Sequence, residues 1–242
     1  MRTSALLLWA LVLQAGSPLD LPRLGFVADS EGALRPIWGI AGNFVVGLPH
    51  LTGVRSAAAS DLAVVVKLDD ALLVLDREGN ELHRWHAPQG SVFVAFAPDG
   101  HPGVVHYPET GELWRIEAEP VRFETAIEGR VAAICQPDHD FALLAVRRDV
   151  ETWLVRIDLA TGRIASELRL DDSDRDPLLL RPGGSIVWTV SDLPGKLQAA
   201  PVNGRWYVLA ERETGRVWIA DVASDPERVY RLPAPRVGEE AQ

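Results

Sequence analysis

The stretch from residue 141 to 170, FALLAVRRDVETWLVRIDLATGRIASELRL, most narrows what this chain can become. Residues 141–146 form an apolar run of strand length, and residues 147–151 a polar break. Trp153, Val155 and Ile157 then alternate with Leu154, Arg156 and Asp158, so at least one face belongs to a core. Ala160-Thr161-Gly162 reads as a turn, because Gly162 takes a positive φ at no steric cost. Residues 164–170 alternate as a half-wet outer strand should. In front lies the small-residue strand 131–135, which leads into the turn Pro137-Asp138. Together these make a four-stranded meander of about 40 residues, a size typical of radially repeated sheets.

Weaker copies run through the chain. Strands at 54–59, 62–66, 72–76 and 81–86 form one, with Arg77-Glu78-Gly79-Asn80 as its last turn. Strands at 92–97, 103–107, 113–117 and 121–127 form the next, with Pro98-Asp99-Gly100 as its first turn. Near the C-terminus, strands at 197–202, 206–210, 217–221 and 228–232 form another around Asn203-Gly204. Two pieces are partial. Strands 178–181 and 186–190, joined by Pro182-Gly183-Gly184-Ser185, lack a second half. Strands 26–29 and 34–38, joined by Ser30-Glu31-Gly32, read as the last two strands of a unit without its first half, and residues 44–46 could add a short strand. Such units cannot bury their faces alone, and a closed ring removes sheet edges. The expected fold is therefore all-β, a β-propeller of four-stranded antiparallel blades. Six blades are favoured, with five the alternative, and the N-terminal strands pair near the C-terminal blade to close the ring.

Residues 1–17 read as a signal peptide: Arg2, an apolar run over 5–13, then Ala15, Gly16 and Ser17. The run is too short to span a bilayer. Residues 18–235 form the propeller domain and 236–242 a solvated, disordered tail. The expected location is extracytoplasmic, periplasmic or secreted. A formal net charge of −10, with Lys67 and Lys196 the only lysines, disfavours nucleic acid or an anionic membrane as partner. The bias to Arg over Lys, with abundant Ala, suggests by association a GC-rich bacterial genome. Cys135 is the single cysteine, so no intrachain disulfide forms and packing must hold the fold. Its apolar strand marks it as a buried, inert thiol.

The phrase Val155-Arg-Ile-Asp-Leu-Ala-Thr-Gly-Arg-Ile resembles the surface-layer YVTN-type propeller repeat: hydrophobic strand, Asp, Thr-Gly turn, next strand. Ala97-Pro-Asp-Gly and Gln136-Pro-Asp resemble the inner-strand turn of the same broad class. The likeness covers most of residues 23–235 and implies a fold. It implies no activity, since that fold hosts binders, scaffolds and enzymes.

In a meander blade whose inner strand comes first, the second-to-third loops and the links between blades open on one common face. Those second-to-third loops begin at Lys67, His106, Arg147, Ser191 and Glu211, polar and different from one another, as a ligand or partner site on a repeat scaffold would be. Solvated loops look the same. His83 and His86 are three apart on a strand and point to opposite faces, so they cannot grip one ion. His106-Tyr-Pro-Glu109 lacks the helical geometry of a zinc protease motif. His50, His101 and His139 stand alone. The acidic run 171–176 begins like a calcium loop counted from Asp172. Pro177 stands where that loop needs glycine, and Gly183 where it needs Glu. A wet acidic linker is favoured. No cofactor is expected, and calcium is the one ion this run admits.

Calcium-dependent propeller lactonases need Asn carboxamides, and this chain offers only Asn43, Asn80 and Asn203. Quinoprotein propellers carry a Trp at a fixed distance after each Thr-Gly turn. Thr161-Gly162 has none, and Trp114 and Trp218 come one residue early. No G-x-S-x-G elbow or phosphate-binding glycine loop is present. The tryptophans in strands fit inter-blade packing, with a stacking site for a sugar the sharper alternative. The expected function is a non-catalytic module that binds a protein partner or a small ligand through its loop-rich face. The alternative is a metal-dependent hydrolase or lyase with its site at the ring axis.

Overall fold

The computed structural model describes residues 21–170, 178–180, 186–188, 197–211, 214, 216–224 and 228–233. These residues contain strands and turns and no helix. Five four-stranded antiparallel blades stand in a ring, a β-propeller. The first comprises β1 (Arg23–Ala28), β2 (Ala33–Ile40), β3 (Asn43–Val46) and β4 (Leu51–Thr52). The second comprises β5 (Ser56–Ala59), β6 (Ala63–Lys67), β7 (Ala71–Asp76) and β8 (Glu81–His86). The third comprises β9 (Phe93–Phe96), β10 (Pro102–Tyr107), β11 (Glu112–Arg115) and β12 (Val121–Glu124). The fourth, β13 (Arg130–Cys135), β14 (Phe141–Arg148), β15 (Glu151–Asp158) and β16 (Ile164–Leu170), is the meander read from 131 to 170. After the two-stranded sheet of β17 (Leu178–Leu180) and β18 (Ile186–Trp188), the fifth blade comprises β19 (Leu197–Pro201), β20 (Trp206–Glu211), β21 (Val217–Asp221) and β22 (Arg228–Arg231).

The blades cohere face to face. Leu34 and Phe26 meet Val64, Val66 and Leu73 between the first and second. Val65 and Leu72 meet Val105, Tyr107 and Trp114 between the second and third. Val104 and Leu113 meet Leu144, Val155 and Ile157 between the third and fourth. Leu180 of β17 packs on Ala133, Cys135 and Ala145, and its carbonyl accepts a 3.0 Å hydrogen bond from the Tyr207 hydroxyl. Trp206, Val208 and Leu232 close the ring on Ile37, Phe44 and Val46. Each buried Leu, Ile or Val contributes about 1.5–3 kcal/mol, so these interfaces carry the stability. The single thiol, Cys135, is buried and free of any disulfide.

The turns between first and second strands share one device. Asp29, Ser60, Asp99, Asp138 and Asn203 each accept backbone N–H bonds from residues two to four further on. These are Asx- and Ser-type caps, which pin the hairpin and with it the register.

Two expectations are corrected. The blade count is five rather than six; the unit at 178–190 is present, among the described residues, as a two-stranded sheet. The N-terminal strands are also no half-unit waiting for C-terminal partners. β1 is the innermost strand of a blade built from contiguous chain, with β3 and β4 both paired to β2. Closure comes from packing and from the Asn203 amide donating to the Leu24 carbonyl at 3.2 Å. β1 also runs opposite to the other inner strands. Its start, at Gly25, lies against Val202 and Ala59, where β19 and β5 end. Just past its end, the Gly32 carbonyl accepts from Val54 N–H, where β5 begins, at 2.8 Å. Alternation reports that strands pair but not their radial rank or direction, which is why spacing alone misplaced these two. The proposed signal peptide and the tail at 236–242 lie outside the described residues.

Candidate functional site

The inner strands surround a cavity of about 1110 Å³ on the ring axis. Strands converge inward, so the lining must be small. Ala57 and Ala58 of β5, Ala132 and Ala133 of β13, and Ala199 and Ala200 of β19 provide it. The loops that precede β5 and β9, together with Asp69, Glu109 and Glu211, place polar groups around one mouth. This is the face onto which the second-to-third loops open.

The mouth charges hold one another. Arg55 Nε donates to Asp69 Oδ1 at 2.5 Å, and that hydrogen bond draws the Asp69 carboxyl below its usual range. Asp29, also on the lining, accepts from Arg35 Nε at 2.5 Å. Glu109 lies over Gly90, whose missing side chain makes the room: a Cβ there would sit 2.5 Å from the carboxylate. Arg130 adds an exposed guanidinium at the start of β13. Among the described residues, no three His, Cys, Asp or Glu side chains gather where they could share a metal ion.

The residues singled out from sequence do not form this mouth together. Lys67 ends β6, fully buried. It alternates with Ala63 and Val65, which face the third blade, and its ammonium donates to the carbonyls of Leu68 and Asp69. Burial lowers its pKa. Lys67 therefore holds the loop that presents Asp69. His106 is buried on the face of β10 turned to the fourth blade, with its ring 6.4 Å from Phe93. Its Nδ1 has no partner among the described residues, and burial pushes its pKa down to about 4. Arg147 stands opposite Arg130 on one side and Thr152 on the other. Among the described residues of the set, Glu211 alone lines the cavity; it is buried and accepts a hydrogen bond from the Thr214 hydroxyl. Ser191 lies outside the described residues, as does the acidic run 171–176.

Lys67, His106 and Glu211 thus lie within the last two residues of their strands rather than in solvated loops. The groups at the mouth come later in two of the same loops: Asp69 two residues after Lys67, Glu109 three after His106. Taking each loop from its second position would have found them. Arg55 and Arg130 follow the same logic in the links between blades, just before or at the first inner residue.

No protein-family model matches the chain, and no curated protein sequence does either. Solved structures do match in shape. The WD40 β-propeller domain of Doa1 is 14% identical with a TM-score of 0.50, covering 86% of this chain and 64% of that one. Hydrazine synthase of Kuenenia stuttgartiensis is 13% identical with a TM-score of 0.47, covering 93% and 70%. Hsv2 of Kluyveromyces lactis is 11% identical with a TM-score of 0.46, covering 88% and 83%. The ring of blades and the likeness to the Doa1 domain define the class: this chain is a β-propeller. At such identity the likeness speaks to fold alone. No helix among the described residues is long and apolar enough to cross a membrane.

Proposed function

We propose that the chain is an extracytoplasmic propeller of the YVTN-like kind that binds a protein partner or small ligand at the mouth of its axial cavity, without chemistry of its own. One observation carries the reading: the mouth carboxylate Asp69 is already held by Arg55 at 2.5 Å. A carboxylate so paired is a recognition surface sooner than a cation ligand, because a metal would first have to displace the guanidinium. The signal-like residues 1–17 support export.

The experiment is charge reversal at the exposed mouth residues, Arg130→Glu with Glu109→Lys, in the full chain. Co-purification of a discrete partner that both changes abolish supports the mouth. A partner retained at full yield by both variants overturns it. Metal analysis and thermal unfolding with calcium address the metal-dependent alternative: a bound ion together with a raised Tm would replace this reading. Fractionation with and without residues 1–17 tests export.

A further inference from the structure

The first blade is one rank short. In each of the other four, a fourth strand covers the third; in the first, β3 and β4 share the third rank, and among the described residues nothing pairs with the outer edge of β3. The outer strands elsewhere carry charges, the usual guard against pairing with another chain. β8 has Glu81 and Arg84, β12 Arg122 and Glu124, β16 Glu167 and Arg169, β22 Arg228 and Arg231. β3 reads Asn-Phe-Val-Val, and no Asp, Glu, Lys or Arg occurs from Pro36 to Val54. The edge is unguarded.

It is also apolar and shaped on one side only. Phe44 and Val46 turn inward onto the fifth blade. Val45 stands opposite Trp38, and Ile40 opposite Asn43, so Trp38, Ile40 and Val45 share the other face. Ile40 is 58% exposed, Val45 37% and, just beyond β3, Leu48 68%. Trp38 is fixed there, its ring lying over Gly47 where a Cβ would come within 2.3 Å.

We infer that the outer edge of β3 is a second interaction surface, which takes an extended segment of a partner protein as the missing fourth strand. The blades themselves specify the occupant: a strand of about four to seven residues, antiparallel to β3, apolar at alternate positions. The absence of charge on the edge selects an uncharged centre for that segment, since a carboxylate or ammonium opposite Val45 would be desolvated without a partner. The size of the patch argues against a second copy of this chain. Its exposed large apolar side chains are three, Ile40, Val45 and Leu48, whereas a stable dimer engages about 20–30 residues on each side. This surface lies at the outer end of the first blade and is independent of the axial mouth.

The test is selection of uncharged heptapeptides from a display library on the full chain. Synthetic copies of the enriched sequences are then titrated by fluorescence anisotropy. Enrichment of sequences apolar at every second position is expected. Val45→Lys should weaken binding at least tenfold, while Val150→Lys and Arg130→Glu leave it unchanged. N-methylation of alternate peptide amides should abolish binding in one register and spare it in the other. Amides of Asn43–Val46 should gain hydrogen-exchange protection on binding. No enrichment, binding indifferent to Val45→Lys, or equal loss from N-methylation in both registers overturns the proposal. So does concentration-dependent self-association that Val45→Lys removes, or an edge that exchanges only after residues 234–242 are deleted.

Discussion

In the fourth blade, β13 to β16 step outward as a plain meander of six, eight, eight and seven residues. In the first, the innermost strand runs the other way, and the third rank is split into pieces of four and two residues. The break between those pieces is filled by one side chain. Arg35 of β2 donates from Nε to Asp29 and from Nη1 to the carbonyl of Gly47 at 3.2 Å. Asp29 meanwhile caps its own turn through its other oxygen. In the fourth blade Asp138 does the capping alone, and the Arg148–Glu167 pair sits near the surface beside Trp153. The regular blade draws its form from backbone pairing and apolar faces; the irregular one depends on a buried ion pair to hold an arrangement the repeat does not supply.

The sharpest way to break that contrast is to remove one carboxylate from each. The Asp29 and Arg35 side chains are 10% and 8% exposed. Asp29→Asn removes the buried countercharge and leaves Arg35 with the Gly47 carbonyl and the exposed Glu31 carboxylate at 3.9 Å. Breaking a buried pair costs about 3–5 kcal/mol, and these remaining contacts place the loss at the lower end. Glu167 and Arg148 are 29% and 22% exposed, and Glu167→Gln should cost no more than about 1 kcal/mol. Urea unfolding of both variants measures the difference. Equal losses would mean that the first blade does not lean on its ion pair.

A smaller effect separates their turns. Gly162, in the Thr-Gly turn of the fourth blade, has φ +70°, and a Cβ there would lie 2.4 Å from the Phe123 ring of the third. The Gly162 carbonyl also accepts from the Thr125 hydroxyl at 2.9 Å, so the turn cannot simply back away. Gly162→Ala combines left-handed strain with overpacking, about 2–4 kcal/mol. Gly42, between β2 and β3, has φ +85° but only Tyr230 at 4.0 Å. Gly42→Ala should cost about 1–2 kcal/mol, the strain alone. If the two lose the same, the contact with Phe123 does not bind blade to blade.

The same two blades mark how far the sequence could be read. Strand positions in the fourth were legible because two apolar runs of strand length precede two alternating strands, and each turn contains Gly, Asp or both. What stayed hidden was the role of the aspartates. Asp158 accepts from the amides of Ala160 and Thr161 and from the Thr161 hydroxyl, which is why Asp precedes Thr-Gly in that motif. In the first blade, alternation located β1 and β2 but carried no information on direction. The Arg35–Asp29 bond joins residues whose spacing looks like any surface pair. For the candidate site, the loop-rich face was legible from topology. In two of those loops, however, the first residue still obeys the strand: Lys67 and His106 point between blades and are buried. Burial of such residues depends on the neighbouring blade, which no local pattern encodes.

His106 supplies the mildest test and the one most specific to the fourth-blade side. It faces that blade across the interface containing Val104, Leu113 and Leu144, with Nδ1 unpartnered among the described residues. Burial holds its pKa at about 4, against 6.5 for the unfolded chain. The folded value is the lower one, so below pH 6.5 the unfolded chain takes up the proton first, and stability falls as pH drops toward 4. Between pH 7 and pH 5 the loss attributable to this ring is about 2 kcal/mol. His106→Leu should remove that part of the slope and leave the contribution of the paired carboxylates, whose depressed pKa values place their loss at lower pH. The measurement is urea unfolding at pH 7, 6 and 5 for both proteins. A wild-type slope that His106→Leu leaves intact would mean that water reaches the ring. The third and fourth blades would then meet less tightly at that end than the burial of Val104 and Leu144 implies.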